Sequence, residues 1–192
     1  MKLPEINTVL GKFLFSCLLF LFPFFIYFPS LSYENIYLDD DALTANSSAG
    51  IREIFTKDVF LGNGTKSGFY RPLMSLSFAA DRKIADFLFS KIFSGKKGAY
   101  KYSLKEDYSV PPGMLFVSHF HNILLHGIFC IILCEMFLCF GMNKKTAYSG
   151  AALFAALPCN AVAVAWLGGR NDMLLGIFIV PAAIFLKKFL DG

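Results

Sequence analysis

The 192-residue sequence predicts an all-α integral membrane protein of about four transmembrane helices, with a long outer loop carrying a surface-lying amphipathic helix. Three observations predict it. Hydrophobic residues make up 56% of the chain, with 23 phenylalanines, and mean hydropathy is +0.55. A soluble domain of this length has too little interior to hide that much apolar surface. The apolar residues also fall in long uncharged runs, and the strongly polar groups among them gather at the ends of those runs.

The first span is expected over residues 13–32, because Phe13 to Leu31 gives 19 residues without a charge. That length crosses about 30 Å of hydrocarbon at roughly 1.5 Å per residue. A cleaved signal peptide is the competing reading. Length, Pro23 and Pro29, and the lack of a small-x-small exit site before Tyr33 favour a retained span. An outer loop, 33–115, follows. The second span, 116–141, contains Glu135 and the three histidines; the third, 146–166, carries no charge; the fourth, 173–188, ends on Lys187-Lys188. Residues 1–192 read as one membrane domain.

Lys2 and Lys12, Lys144-Lys145 and Lys187-Lys188 share one side if there are four spans, and the positive-inside rule makes that side, with the N-terminus, cytoplasmic. Loops longer than about 60 residues translocate largely regardless of charge, so the basic residues of 33–115 do not reverse this. The net charge of +4 then says little about nucleic acid, and no nucleic-acid partner is expected. Cys17, Cys130, Cys134, Cys139 and Cys159 lie in apolar stretches without ligand-like pairing and read as small membrane-buried side chains.

The outer loop has three parts. Tyr33 to Thr65 begins acidic and gives a short helix around Ile51 to Phe60. Tyr70-Arg71-Pro72-Leu73 then opens a longer helix, with proline in the first turn, where no backbone donor is needed. Its Leu73, Leu76, Ala80, Ile84, Phe87, Leu88 and Lys91 recur at three- and four-residue steps, with Asp81, Arg82, Lys83 and Asp86 opposite. Those charges exclude a span, so the helix is expected along the membrane surface. Gly95 to Gly113 is a polar, flexible connection.

Four constellations could carry chemistry. Asp39-Asp40-Asp41 puts three carboxylates at a membrane exit, where low dielectric strengthens their repulsion. One can serve as a general base, or two can hold a divalent cation bridging phosphate oxygens; the alternative is a solvated acidic loop. Arg71 at a helix start offers a phosphate a bidentate fork beside free backbone amides, or is an ordinary interfacial arginine. His119, Asn122 and His126 share one helix face. His119 and His126 are two turns, about 10 Å, apart, too far for one metal ion, so the stripe is expected to face the bundle or a cavity. Trp166-Leu167-Gly168-Gly169-Arg170-Asn171-Asp172 forms an outer turn, in which Arg170 and Asp172 face the compartment of the aspartates or simply pair locally.

The order of these pieces resembles the membrane half of the Tmtc-like glycosyltransferases of the GT-C superfamily, whose longer members carry tetratricopeptide repeats. The resemblance rests on Asp39-Asp40-Asp41 with Asn46, on Tyr70-Arg71-Pro72-Leu73, and on His119 with Asn122, Leu125 and His126. It continues through Ala152-Leu153-Phe154-Ala155 with Pro158, then Ala163-Val164-Ala165-Trp166 with Gly169-Arg170-Asn171-Asp172, covering about Tyr37 to Leu175. Leu157 stands where the family usually has His, Gly95 to Gly113 looks inserted, and the family's membrane domain is longer.

The resemblance implies a GT-C-like N-terminal part and sugar transfer from a polyprenyl- or dolichyl-phosphate-linked donor to a protein or glycan acceptor on the outer or luminal face. Asp40, with Asp39 and Asp41 behind it, would be the base. Arg71 and Arg170 would hold the lipid phosphate. Asn46, Tyr70, His119, Asn122, His126 and Asp172 would line the site. A carboxylate base requires no cofactor, and a divalent cation stays open. Two other readings compete: a non-catalytic membrane scaffold or assembly subunit of the same fold, and a small transporter sensitive to Glu135. The sequons Asn46-Ser47-Ser48 and Asn63-Gly64-Thr65 do not decide between a bacterial cytoplasmic membrane and the ER.

Overall fold

The computed structural model of the chain describes residues 9–33, 40–60, 67–89 and 113–192. Eight α-helices and four short 3-10 turns occur among the described residues, with no strand. The helices are α1 (Val9–Tyr27), α2 (Asp40–Ala45), α3 (Ile51–Thr56), α4 (Pro72–Phe89), α5 (Met114–Cys139), α6 (Lys144–Ala156), α7 (Ala161–Ala165) and α8 (Arg170–Leu190).

Among the described residues, three helical stretches are long and apolar enough to cross a membrane: Val9–Ser32, Met114–Cys139 and Leu167–Leu190. The expected third span is not one straight helix. It is the pair Lys144–Ala156 and Pro158–Ala165, bent by 52°, and it makes a fourth crossing if the pair is one span. The break has a local cause. Pro158 has no N–H and pushes Leu157 into an extended conformation (φ −64°, ψ 127°), and the Phe154 carbonyl accepts instead from the Leu157 N–H and the Asn160 side-chain amide.

The chain divides into two compact units. The first comprises Met1–Phe28, Asn122–Ala165 and Asp172–Gly192; the second comprises Pro29–His121 and Trp166–Asn171. In the first unit, Ala147, Ala151 and Ala155 recur every four residues and put a small-residue stripe of α6 in the core with Leu19 of α1 and Cys130 and Cys134 of α5. Small residues let helices approach closely where hydrocarbon surroundings give apolar side chains little reason to associate. Gly127 serves the same end, since a Cβ there would meet the Phe20 carbonyl at 2.7 Å. Asn143 caps α6 by accepting from the Thr146 N–H at 3.0 Å.

The second unit is built on α4. The helix begins one residue after Arg71, as proline at its first position dictates. Met74, Ser75, Phe78, Asp81 and Ala85 are buried, while Leu73, Leu76, Ile84, Phe87 and Leu88 of the apolar stripe are exposed. The buried face is a mixed one, Met74, Phe78 and Ala85 with Ser75 and Asp81, while Lys83 and Asp86 of the polar side stay exposed. The helix expected around Ile51 to Phe60 stops at Thr56, and the chain after it is tied by Asp58, which accepts from the N–H groups of Phe60, Ser67 and Gly68 and from the Ser67 hydroxyl. Gly95 to 112, Lys91 and the sequon at 63–65 lie outside the described residues.

Candidate functional site

Eleven polar or charged residues are buried among the described residues, and all except Asn122 and His126 belong to the second unit. A buried polar group is costly unless satisfied, so their concentration locates the polar centre of the molecule.

That centre is Asp81. Its side chain and that of Arg170 are both 0% exposed, and Arg170 Nη1 donates to Asp81 Oδ2 at 2.6 Å. The Ser118 hydroxyl donates to the same oxygen at 2.9 Å, and His121 Nδ1 lies 2.7 Å from Oδ1. Arg170 donates to two further groups nearby, Nη1 to the Ser77 hydroxyl and Nη2 to the Ser118 carbonyl, both at 2.9 Å. Its guanidinium also stacks over the Phe78 ring, 4.0 Å from the centroid. Burial alone would raise the Asp81 carboxyl. The hydrogen bond from His121 and the charges of Arg170 and His121 outweigh it and hold the group below the ordinary aspartate value.

The local sequence explains how α8 delivers Arg170 into this cluster. Trp166 is extended (φ −87°, ψ 133°), and Leu167–Gly169 makes one 3-10 turn before α8 starts at Arg170. Gly168 leaves room for the Trp166 ring, which a Cβ would meet at 2.6 Å. Arg170 therefore pairs with a carboxylate 89 positions away rather than with Asp172, which is exposed. The local Arg/Asp pair is corrected on this point. So is the availability of Arg170 for a donor phosphate, because its fork is already engaged.

The other expected residues divide. Asp40 is buried at the start of α2, where its main-chain carbonyl accepts from the Thr44 hydroxyl at 2.7 Å. Asp39 and the side chain of Asp41 lie outside the described residues. Arg71 is half-buried, with its guanidinium 4.7 Å from the centroid of the Phe69 ring. Asn46 donates to the Val59 carbonyl at 2.8 Å, and the exposed Tyr70 donates its hydroxyl to the Phe55 carbonyl at 3.0 Å; both staple the loop to itself.

His119, Asn122 and His126 are all buried, so the stripe faces inward. In the first unit, Asn122 donates to the Val164 carbonyl at 3.1 Å, and the His126 ring stands edge-on to Tyr27 with centroids 5.6 Å apart. In the second unit, His119 packs edge-on to Tyr33 at 6.2 Å. A Tyr33 backbone group and the Arg170 charge act on His119 electrostatically, yet neither ring nitrogen makes a well-formed hydrogen bond. No group of three metal-ligating side chains occurs among the described residues. Glu135 is exposed on α5.

Asp81, Ser77, Ser118 and His121 were not singled out in the sequence. The available signal was Asp81 itself, a lone acid one helical turn after the apolar Phe78 and one before Ala85. Comparison with protein-family models, with curated proteins and with solved structures returns no match.

Proposed function

We propose that the chain is a GT-C-type glycosyltransferase module that moves a sugar from a polyprenyl-phosphate-linked donor to a protein or glycan acceptor on the outer or luminal side of a bacterial cytoplasmic or ER membrane. The observation that carries the reading is the gathering of buried Asp40 and the buried Asp81–Arg170 pair in one unit, built from the segment between the first two apolar helices and the turn before α8. The motif order that resembles the Tmtc-like proteins points the same way. Four spans would put the N-terminus in the cytoplasm and this unit on the opposite side. Helix α4 would lie in the interface with its exposed leucines in lipid.

In this reading the Asp40 carboxylate takes the proton of the acceptor hydroxyl as its oxygen attacks the anomeric carbon. The bond from that carbon to the phosphate oxygen breaks, and Arg71 balances the charge left on the lipid phosphate. Arg170 positions the cluster from behind. A scaffold of the same fold without turnover is the second reading, favoured by the burial of Arg170 against Asp81, Ser77 and Ser118 and by Leu157 where the family usually has His. Incubating the purified chain in nanodiscs with a radiolabelled polyprenyl-phosphate hexose decides between them. Transfer by the wild-type chain and its loss in Asp40→Asn are expected; equal transfer by Asp40→Asn contradicts the assignment, and no transfer by either leaves the scaffold.

A further inference from the structure

The Asp81 cluster has one member that reaches its surface. Asp81 and Arg170 are sealed at 0% exposure, whereas the His121 side chain keeps 30%. Nδ1 of His121 is committed to Asp81 Oδ1 at 2.7 Å, so the ring is fixed by a carboxylate that is itself fixed by Arg170 and Ser118. Nε2 has no hydrogen-bond partner among the described residues and is the group the cluster presents outward. Carboxylate-held imidazoles of this kind have a defined orientation and a defined free nitrogen.

Charge counting gives the sign of what that nitrogen would meet. Asp81 and Arg170 cancel. An imidazolium at 121 therefore leaves one positive charge over, on the exposed member, with Nε2–H as a charge-assisted donor. The surroundings give the rest of the ligand. Phe120, next in sequence, stacks on Phe116 with centroids 6.3 Å apart and planes 15° apart, and Phe116 meets Phe89 edge-on at 6.2 Å. Phe116 and Phe120 are both exposed. A single donor beside an aromatic, lipid-compatible surface suits an amphiphile with an anionic head.

We propose that His121 is a phosphate-contacting residue for a lipid phosphate, its ring positioned by the buried Asp81–Arg170 pair and the lipid chain lying on Phe116 and Phe120. This deepens the polyprenyl-phosphate reading above and gives the phosphate contact expected of Arg170 to a residue with a free donor.

Binding tests it without requiring turnover. Farnesyl phosphate, a short polyprenyl phosphate, is titrated into the full chain in nanodiscs, with inorganic phosphate and farnesol as parallel arms. Loss of one charge-assisted hydrogen bond in His121→Gln should weaken farnesyl phosphate by roughly tenfold or more, with wild-type helicity. Farnesol and inorganic phosphate should each bind the wild-type chain more weakly than the amphiphile. Should His121→Gln fold poorly, the wild-type chain answers alone. Diethyl pyrocarbonate should modify His121 ahead of buried His119 and His126, and farnesyl phosphate should protect it. Undiminished binding in a folded His121→Gln, equal binding of farnesol or inorganic phosphate, or no protection overturns the proposal. Loss of binding in the variant without any sugar transfer by the wild-type chain would leave this site standing and remove the transferase reading instead.

Discussion

Replacing Asp81 by alanine should damage the molecule more than any other single change in the second unit. The carboxylate accepts from Arg170 at 2.6 Å, His121 at 2.7 Å and Ser118 at 2.9 Å. Alanine removes all three and leaves a 0%-exposed guanidinium without its carboxylate counter-charge. Stranding one partner of a buried ion pair costs about 3–5 kcal/mol. The assay is reversible unfolding in detergent micelles followed by circular dichroism, with Asp86→Ala, an exposed carboxylate on the same helix, as control at within about 0.5 kcal/mol. Adding Arg170→Met should recover about 1–3 kcal/mol, because the unpaired charge goes too. The pH dependence has a definite sign. Asp81 is held below its ordinary value in the folded chain, so its contribution is complete above the unfolded value of about 3.9 and is lost as pH falls through the lower folded value. The wild-type advantage over Asp81→Ala should therefore persist at pH 5 and fade only in stronger acid. An Asp81→Ala chain as stable as Asp86→Ala, or a double variant no better than the sum of its singles, refutes the pairing.

Gly127→Val should separate α1 from α5, since even a Cβ would meet the Phe20 carbonyl at 2.7 Å; overpacking of this kind costs about 1–3 kcal/mol in the same unfolding assay. Asp58→Ala should open residues 57–60 and 67–70 to protease without lowering overall helicity, because the Asp58 carboxylate gathers the Phe60, Ser67 and Gly68 amides. Those hydrogen bonds hold its carboxyl below the ordinary value, so the wild-type loop should stay protected above that range and become cleavable as pH falls through it.

The apolar spans were legible because hydrocarbon imposes a length and forbids charge, and a run such as Phe13 to Leu31 states both directly. The burial of His119, Asn122 and His126 followed from helical spacing, which puts them on one face, and from the cost of leaving polar groups in an apolar stretch. Helix α4 was legible as a helix, but which side chains it packs inward was not. Its leucines recur at helical steps, and periodicity does not say whether the partner of that stripe is protein or lipid. Asp81 shares the polar side with Arg82, Lys83 and Asp86 in the sequence, and nothing local marks it as the one that is buried and accepts three hydrogen bonds. The Asp81–Arg170 pair was invisible for a different reason: it joins positions 89 apart, and no local rule connects them. The bend at Leu157–Pro158 had a visible cause in Pro158, whose missing N–H and steric demand on the preceding residue decide the geometry.

The most direct test of a polyprenyl-phosphate sugar site in the second unit is photoaffinity labelling with a polyprenyl-phosphate sugar bearing a diazirine on the sugar, read by mass spectrometry. Label within residues 29–121 or 166–171, competed away by the unmodified donor, is the predicted result. Label confined to residues 122–165 or 172–192, or label that the donor does not compete, would contradict it.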